Sequence, residues 1–242
     1  VNVTDTELVE HHLLMRTVVV GALATNAYTV AGTISRHAIV VDPGDEPNRL
    51  LDATHDLHVV GIVLTHAHWD HVLGVAAVAD RTGAPILLHP DDEPVWPHEQ
   101  DHLHRHGHFD AGTATEQLLH CSCPPIPPAG IELWDGTHQS LHHGAELRLG
   151  EHTVVIAVHT PGHTPGGTSL AVGSHVLTGD TLFPGGPGLT GWPLSDFPTI
   201  IGSIEHHLFS LPDHTIVHPG HGATTTIGTE RPKLPDWIKR GW

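Results

Sequence analysis

The chain has 242 residues, enough to bury a sizeable core as one large domain or as one domain with an elaborated loop. Lys and Arg total 10 against 27 Asp and Glu, a formal charge of −17 with the 27 histidines neutral. That balance lacks the basic stripe a nucleic-acid partner needs and disfavours an anionic membrane surface. The longest apolar runs are strand-length, and residues 1–12 carry Asp5, Glu7 and Glu10 where a signal peptide would be basic and then apolar, so no membrane span is expected and the cytoplasm is the expected location.

In chain order, residues 17–23 and 27–30 read as two strands with Thr25-Asn26 between them, and residues 38–41 as a third, turned by Asp42-Pro43-Gly44-Asp45. Residues 49–57 read as a short helix. Residues 59–64, apolar and β-branched, read as a buried strand. It delivers Thr65-His66-Ala67-His68-Trp69-Asp70-His71, an H-x-H-x-D-H pattern. Imidazole nitrogens and carboxylate oxygens are ligands for zinc and similar divalent metals, so this stretch points to a metal site. Residues 72–81 have helical spacing, and residues 82–85 stop that helix. Residues 86–88 are the next strand. Alternating strands and helices argue for an α/β layering, with the ligands on a strand-to-helix loop where such folds place their chemistry.

From about residue 90 to 130 the pattern breaks into a polar segment rich in Pro and His, read as a lid-like insertion. His98-Glu99-Gln100-Asp101-His102 formally matches H-E-x-x-H, which requires a helix. In a chain this rich in histidine the match is weak, and a solvated lid helix is expected. Cys121 and Cys123 stand one residue apart, too close for an unstrained bridge and off the usual zinc-ligand gap, so reduced thiols are expected.

Residues 145–149 and 152–158 read as a hairpin running into His159-Thr160-Pro161-Gly162-His163. Residues 169–172 and 175–177 form another pair, leading to Thr178-Gly179-Asp180-Thr181. Gly186-Pro187-Gly188-Leu189-Thr190-Gly191 formally matches G-x-G-x-x-G, but Trp192-Pro193 follows where a helix should open, so a dinucleotide site is rejected. Residues 200–208 read as a helix. Residues 215–217 form the last strand, which delivers His218-Pro219-Gly220-His221. No G-x-S-x-G elbow and no phosphate-binding lysine loop is present in the sequence.

His163, Asp180 and His221 share one form: a β-run ends, and the residue stands on a Gly-bounded turn. With His66, His68, Asp70 and His71 they make seven potential ligands, a number that suits two metals. These motifs, with residues 26–28 and 41–44, resemble the metallo-β-lactamase-fold hydrolases over about residues 18–231, and within them most closely the glyoxalase II (hydroxyacylglutathione hydrolase) group. The resemblance implies a single domain over residues 1–242, an αββα sandwich of two mixed sheets flanked by helices. It implies two divalent metals, zinc first with iron or manganese as alternatives. His66, His68 and His163 would hold one, Asp70, His71 and His221 the other, and Asp180 would bridge them. A hydroxide between the metals would attack the carbonyl of a small thioester, with Asp70 as the catalytic residue that orients or relays a proton.

Glutathione-specific members carry a helical, basic C-terminal extension. The short stretch after His221 departs from that pattern and leaves the thiol carrier open. The alternatives are a lactone or β-lactam hydrolase, a mononuclear iron persulfide dioxygenase and a non-catalytic metal-binding protein. The substrate is expected to be a small molecule.

Overall fold

The structure, a computed structural model, describes residues 6–106 and 132–241, with the side chains of residues 102–106 left aside. Two mixed sheets face each other. The first has seven strands in sequential order: β1 (Thr6–Glu10), β2 (Leu13–Val20), β3 (Thr25–Gly32), β4 (His37–Val41), β5 (His58–Val63), β6 (Ile86–Leu88) and β7 (Gln139–Ser140). Its first four strands are antiparallel, and β4 to β7 run parallel. The second contains β8 (Glu146–Arg148), β9 (Val154–His159), β10 (Thr168–Val172), β11 (His175–Gly179), β14 (Ile216–Pro219) and β15 (Thr225–Thr226). Its order is β15-β14-β11-β10-β9-β8, and a small hairpin of β12 (Leu182–Phe183) and β13 (Gly186–Pro187) stands apart.

Between the sheets lies one apolar layer, with Met15, Tyr28, Val30, Ile39 and Val63 from the first sheet meeting Val155, Ala157, Leu170 and Leu177 from the second. Strand alternation sends the other face of the first sheet toward the helices α1 (Pro47–Ala53), α2 (Trp69–Val72), α3 (Val75–Thr82) and α4 (Val95–His106), whose Leu50, Val72, Val75, Val78 and Trp96 join Val20, Val40 and Ile62. The outer face of the second sheet is covered by α5 (Phe197–Ser203), the π-turn Ile204–Leu208, α6 (Ile227–Glu230) and α7 (Leu234–Arg240), with Ile200, Ile204, Leu208 and Trp237 packed on Val176 and Val217. This is the expected αββα sandwich. Among the described residues, no helix is long and apolar enough to cross a membrane.

Several boundaries differ from the sequence reading. β2 starts four residues earlier than expected and stops at Val20, β3 extends further at both ends and takes in Thr25-Asn26, and β1 and β7 are additional strands. The helix expected over residues 72–81 begins earlier and breaks at Leu73-Gly74. There the Gly74 N–H bonds Pro43 O at 2.8 Å, and a Cβ at Gly74 would stand 2.6 Å from that oxygen. The close approach of the β4 turn therefore resets the axis. The helix expected over residues 200–208 begins three residues earlier, then widens into a π-turn, in which the Phe209 N–H reaches back five residues to Ile204 O at 2.8 Å.

Candidate metal centre

The carboxyl ends of β4, β5, β11 and β14 and the loop after β9 converge at one edge of the sandwich. His66 and His68 leave β5 on a loop, and Asp70 and His71 lie in the first turn of α2. His163 comes from the loop after β9, Asp180 follows β11, and His221 follows β14. Ligand nitrogens of His66, His68 and His163 lie within 4.8 Å of one another, as do ligand atoms of Asp70, His71 and His221. Asp180 stands between these sets: its Oδ2 is 3.6 Å from both His163 Nε2 and His221 Nε2, and its Oδ1 is 3.5 Å from His71 Nε2. All seven residues expected from the sequence thus meet in one place.

The ring orientations are set by groups behind them. His71 Nδ1 faces Asp42 Oδ2 at 2.9 Å, His163 Nδ1 faces Leu189 O at 2.8 Å, and His221 Nδ1 faces Leu23 O at 3.0 Å. These oxygens accept only, so each Nδ1 carries a proton and each Nε2 faces inward, the usual support for an imidazole that ligates a metal. Asp42 also accepts from the Thr65 N–H at 2.7 Å and from its hydroxyl at 2.6 Å. Its carboxylate is engaged in orienting the loop, so the proximity of Asp42, His66 and His71 does not make a third ligand set. Thr25 Oγ1 donates to Asp70 Oδ2 at 3.0 Å. The Asn26 amide and the Tyr28 hydroxyl both donate to Pro219 O, at 3.0 and 2.6 Å, and so fix the turn that carries His221. Gly220 leaves the space this packing needs, since a Cβ there would overlap Asp180 Oδ1 and stand 2.8 Å from His71 Cε1.

The donors fit metal ions by several observations. His66 Nε2 and Asp180 Oδ1 are buried without a hydrogen-bond partner, a costly state for polar atoms unless a ligand satisfies them. His163 Nε2 and His68 Nδ1 stand 3.0 Å apart, and His71 Nε2 and His221 Nε2 3.3 Å apart. Burial, reinforced by neighbouring imidazoles, holds His66 and His68 well below the ordinary histidine range, and burial also lowers His163. His71 and His221 behave oppositely: burial works against their charge, but nearby carboxylates outweigh it and push them up to about 10 and about 9. Asp70 is resisted by burial yet held well below its usual range by His71 and His221.

Some contributors were not found from the sequence as site residues. Asp42 reads in the sequence as a turn residue after β4. Asp92 is fully buried, and its carboxylate binds the loops of His68 and His163 together. Glu99 accepts the Trp69 N–H at 2.9 Å, and burial pushes its carboxyl up to about 8. The H-E-x-x-H stretch does lie on a helix, but His98 is exposed, and Glu99 turns to the ligand loop. Trp192 sets its ring edge-on to His163 and His68, at 4.9 and 5.6 Å between centroids. Cys121 and Cys123 lie outside the described residues, as does most of the segment read as a lid.

Comparison with known proteins agrees with this geometry. Residues 20–221 match the model of the Metallo-beta-lactamase superfamily. The chain is 32% identical to the hydroxyacylglutathione hydrolase GloC of Haemophilus influenzae, covering 83% of this chain and 87% of that protein. Among solved structures it is similar to the BLEG-1 B3 metallo-beta-lactamase, with TM-score 0.68, 30% identity, and coverage of 92% of this chain and 98% of that one. It is also similar to TTHA1623 in a di-iron-bound form, with TM-score 0.66, 34% identity, and coverage of 89% and 96%. A family match across the ligand-bearing strands, the αββα sandwich and the clustered His and Asp donors lead to one assignment: the chain belongs to the metallo-beta-lactamase superfamily and is one of its metallo-hydrolases.

Proposed function

We propose that the chain is a single-domain binuclear hydrolase of small thioesters, with zinc as its metal. His66, His68 and His163 would hold one ion and Asp70, His71 and His221 the other, with the Asp180 carboxylate available to both. The observation that carries this reading is the position of Asp180, within 3.6 Å of ligand nitrogens from both sets. Bound divalent metals supply a water-derived nucleophile at neutral pH and polarise a carbonyl. The chain's own residues do the rest. Asp70, anchored by Thr25 Oγ1, stays ionised and offers Oδ2 to orient a proton at the reacting water. Asp42 keeps the His71 ring fixed by holding its Nδ1–H. Trp192 walls the side of His68 and His163 and narrows the approach there.

The thioester substrate is supported by the similarity to GloC and by the motif order. A lactone or β-lactam hydrolase is the second reading, supported by the similarity to BLEG-1. Iron is the alternative metal, supported by the similarity to the di-iron TTHA1623 structure. Metal content, followed by rates on a panel of thioesters, lactones and β-lactams, tests all three. Two equivalents of metal with thioester cleavage fastest is the expected result. A single iron with no hydrolysis of any panel member would overturn the proposal.

A further inference from the structure

Among the described residues, three buried side-chain polar atoms lack a hydrogen-bond partner: His66 Nε2, Asp180 Oδ1 and the indole Nε1 of Trp192. The first two are metal donors of the centre described above. The third cannot be one, because an indole N–H only donates and has no lone pair for a metal. It nevertheless belongs to the same place. The Trp192 ring is perpendicular to the His163 ring at 4.9 Å between centroids, and it is steeply inclined to the His68 ring at 5.6 Å. A buried N–H without an acceptor is costly to keep. Beside two metal ligands, it calls for an acceptor that arrives with the molecule the site binds.

The loop around Trp192 holds the indole there. At one end Leu189 O accepts from the His163 Nδ1–H at 2.8 Å, and at the other the Asp196 N–H donates to Gly162 O at 2.8 Å. Both ends are thus pinned to the loop of His163. Between them Trp192, Pro193, Leu194 and Ser195 form a turn closed by the Ser195 N–H on Trp192 O at 3.2 Å. Leu194 has φ +73°, a left-handed value that glycine or asparagine ordinarily supplies at the third position of a turn with proline second. Such strain persists only where the surroundings hold it. Here the Ser195 hydroxyl does so: it accepts from the Gly191 N–H at 2.8 Å and the Trp192 N–H at 3.2 Å, and donates to Trp192 O at 2.8 Å. The tip, Pro193 and Leu194, is exposed, so a modest tilt of the half-buried indole brings its N–H to an entering oxygen.

We propose that the Trp192 indole N–H donates a hydrogen bond to the carbonyl oxygen of the bound acyl group, and so helps to select and orient the substrate on the side of His68 and His163. This inference rests on the thioester reading of the function. The reacting carbonyl must come to the metal centre, so its oxygen is the acceptor that the reaction itself brings to this wall. A carbonyl oxygen has two lone pairs and can accept the N–H while it is polarised at the centre. The carboxylate product keeps an oxygen for the same donor.

The test uses the zinc-loaded, isotope-labelled enzyme and two uncleavable analogues of the thioester it cleaves fastest. One is the ketone in which a methylene replaces the sulfur; in the other a methylene also replaces the carbonyl. Heteronuclear NMR follows the Trp192 indole N–H signal, assigned by its through-space contacts with the His68 and His163 rings and by its absence from Trp192→Phe. The ketone should move this signal downfield, and the carbonyl-free analogue should not. Trp192→Phe keeps an aromatic wall without the donor. It should bind the ketone about 5–10-fold more weakly, the size of one hydrogen bond, and the carbonyl-free analogue equally well. The proposal is overturned if saturating ketone leaves the signal unmoved, or if the variant weakens both analogues alike, which would make Trp192 a wall only. Wild-type rates on the thioester panel decide the underlying reading separately. A thioesterase whose indole signal stays unmoved refutes the donor alone, whereas an enzyme that cleaves no thioester refutes the reading on which the donor rests.

Discussion

Asp92 is the residue whose replacement tests the construction of the site most directly. It ends the short 3-10 turn Pro90–Asp92 and is completely buried. Its Oδ2 accepts from the Ala67 N–H at 2.9 Å and the Thr164 hydroxyl at 3.0 Å, and its Oδ1 accepts from the Gly166 N–H at 2.6 Å. One carboxylate thereby clamps the loop of His66 and His68 to the loop of His163. Burial pushes its pKa up from 3.8 to about 6, against the pull of those three donors. That rise corresponds to about 3 kcal/mol of stability that separates the protonated from the ionised protein. The sign follows from the direction. A carboxyl whose folded pKa is raised contributes stability that is fully present below the unfolded value of 3.8 and is lost as pH rises through 6.

Asp92→Asn is neutral at every pH, so comparison with the wild type isolates this term. Between pH 5 and 7.5 the wild type should lose about 1.4 kcal/mol relative to the variant, the part of the span above pH 5. Urea unfolding of the metal-free proteins at the two pH values measures it. The Asn amide also offers one acceptor oxygen where three donors converge, so at least one donor loses its partner at about 1–3 kcal/mol. The loosened loops should weaken binding at the His66, His68, His163 set by about 10–100-fold, read by competition with a chelator. A stability difference that stays flat across the pH range, together with unchanged metal affinity, would refute the clamp.

Asp180→Ala should lose metal and hydrolysis together, because its carboxylate faces both ligand sets; elemental analysis and one rate measurement suffice. Gly220→Ala should do the same at nearly unchanged secondary structure by circular dichroism, since the new methyl enters the space of Asp180 Oδ1 and His71 Cε1. Asp42→Asn should reduce affinity for the second ion by about 10–100-fold in a chelator competition, through loss of the acceptor that orients His71. His98→Ala should leave metal content unchanged, because that ring is exposed on α4; loss of metal would revive the H-E-x-x-H reading.

The seven candidate ligands are legible in the sequence because each announces itself locally. Three histidines and an aspartate crowd one strand-to-helix loop, and His163, Asp180 and His221 each follow a β-run at a glycine turn. The residues behind them were harder to see for a physical reason. Asp92 binds Ala67 and Gly166, 25 and 74 positions away, and no periodicity links such partners. Asp42 looks like any turn aspartate until β4 and β5 are placed side by side, when its carboxylate falls on Thr65 and His71. The π-turn was hidden because Ile200, Ile204 and Leu208 keep helical spacing through it. Strand β7 has two exposed residues and no alternation to read. The H-E-x-x-H match misled in the other direction: the helix is present, but burial selects Glu99 and leaves His98 in solvent.

The two halves of the site are chemically unlike, and that asymmetry has a consequence for loading. His66, His68 and His163 are held neutral by burial, so a metal meets three free lone pairs and displaces few protons. His71 and His221 sit among the carboxylates of Asp42, Asp70 and Asp180, which push them up to about 10 and about 9 against the effect of burial. Without metal they are protonated at pH 7 and serve as the cations of that half. An ion entering there must expel their protons and take over their charge. The first equivalent should therefore bind with little dependence on pH, while the second tightens as pH rises toward about 9 to 10 and releases protons to the buffer. Calorimetric titration in two buffers of different ionisation enthalpy separates these events. Equal proton release for both equivalents would mean that the carboxylates do not charge His71 and His221, and the division of the seven ligands into a neutral and an ionic half would have to be given up.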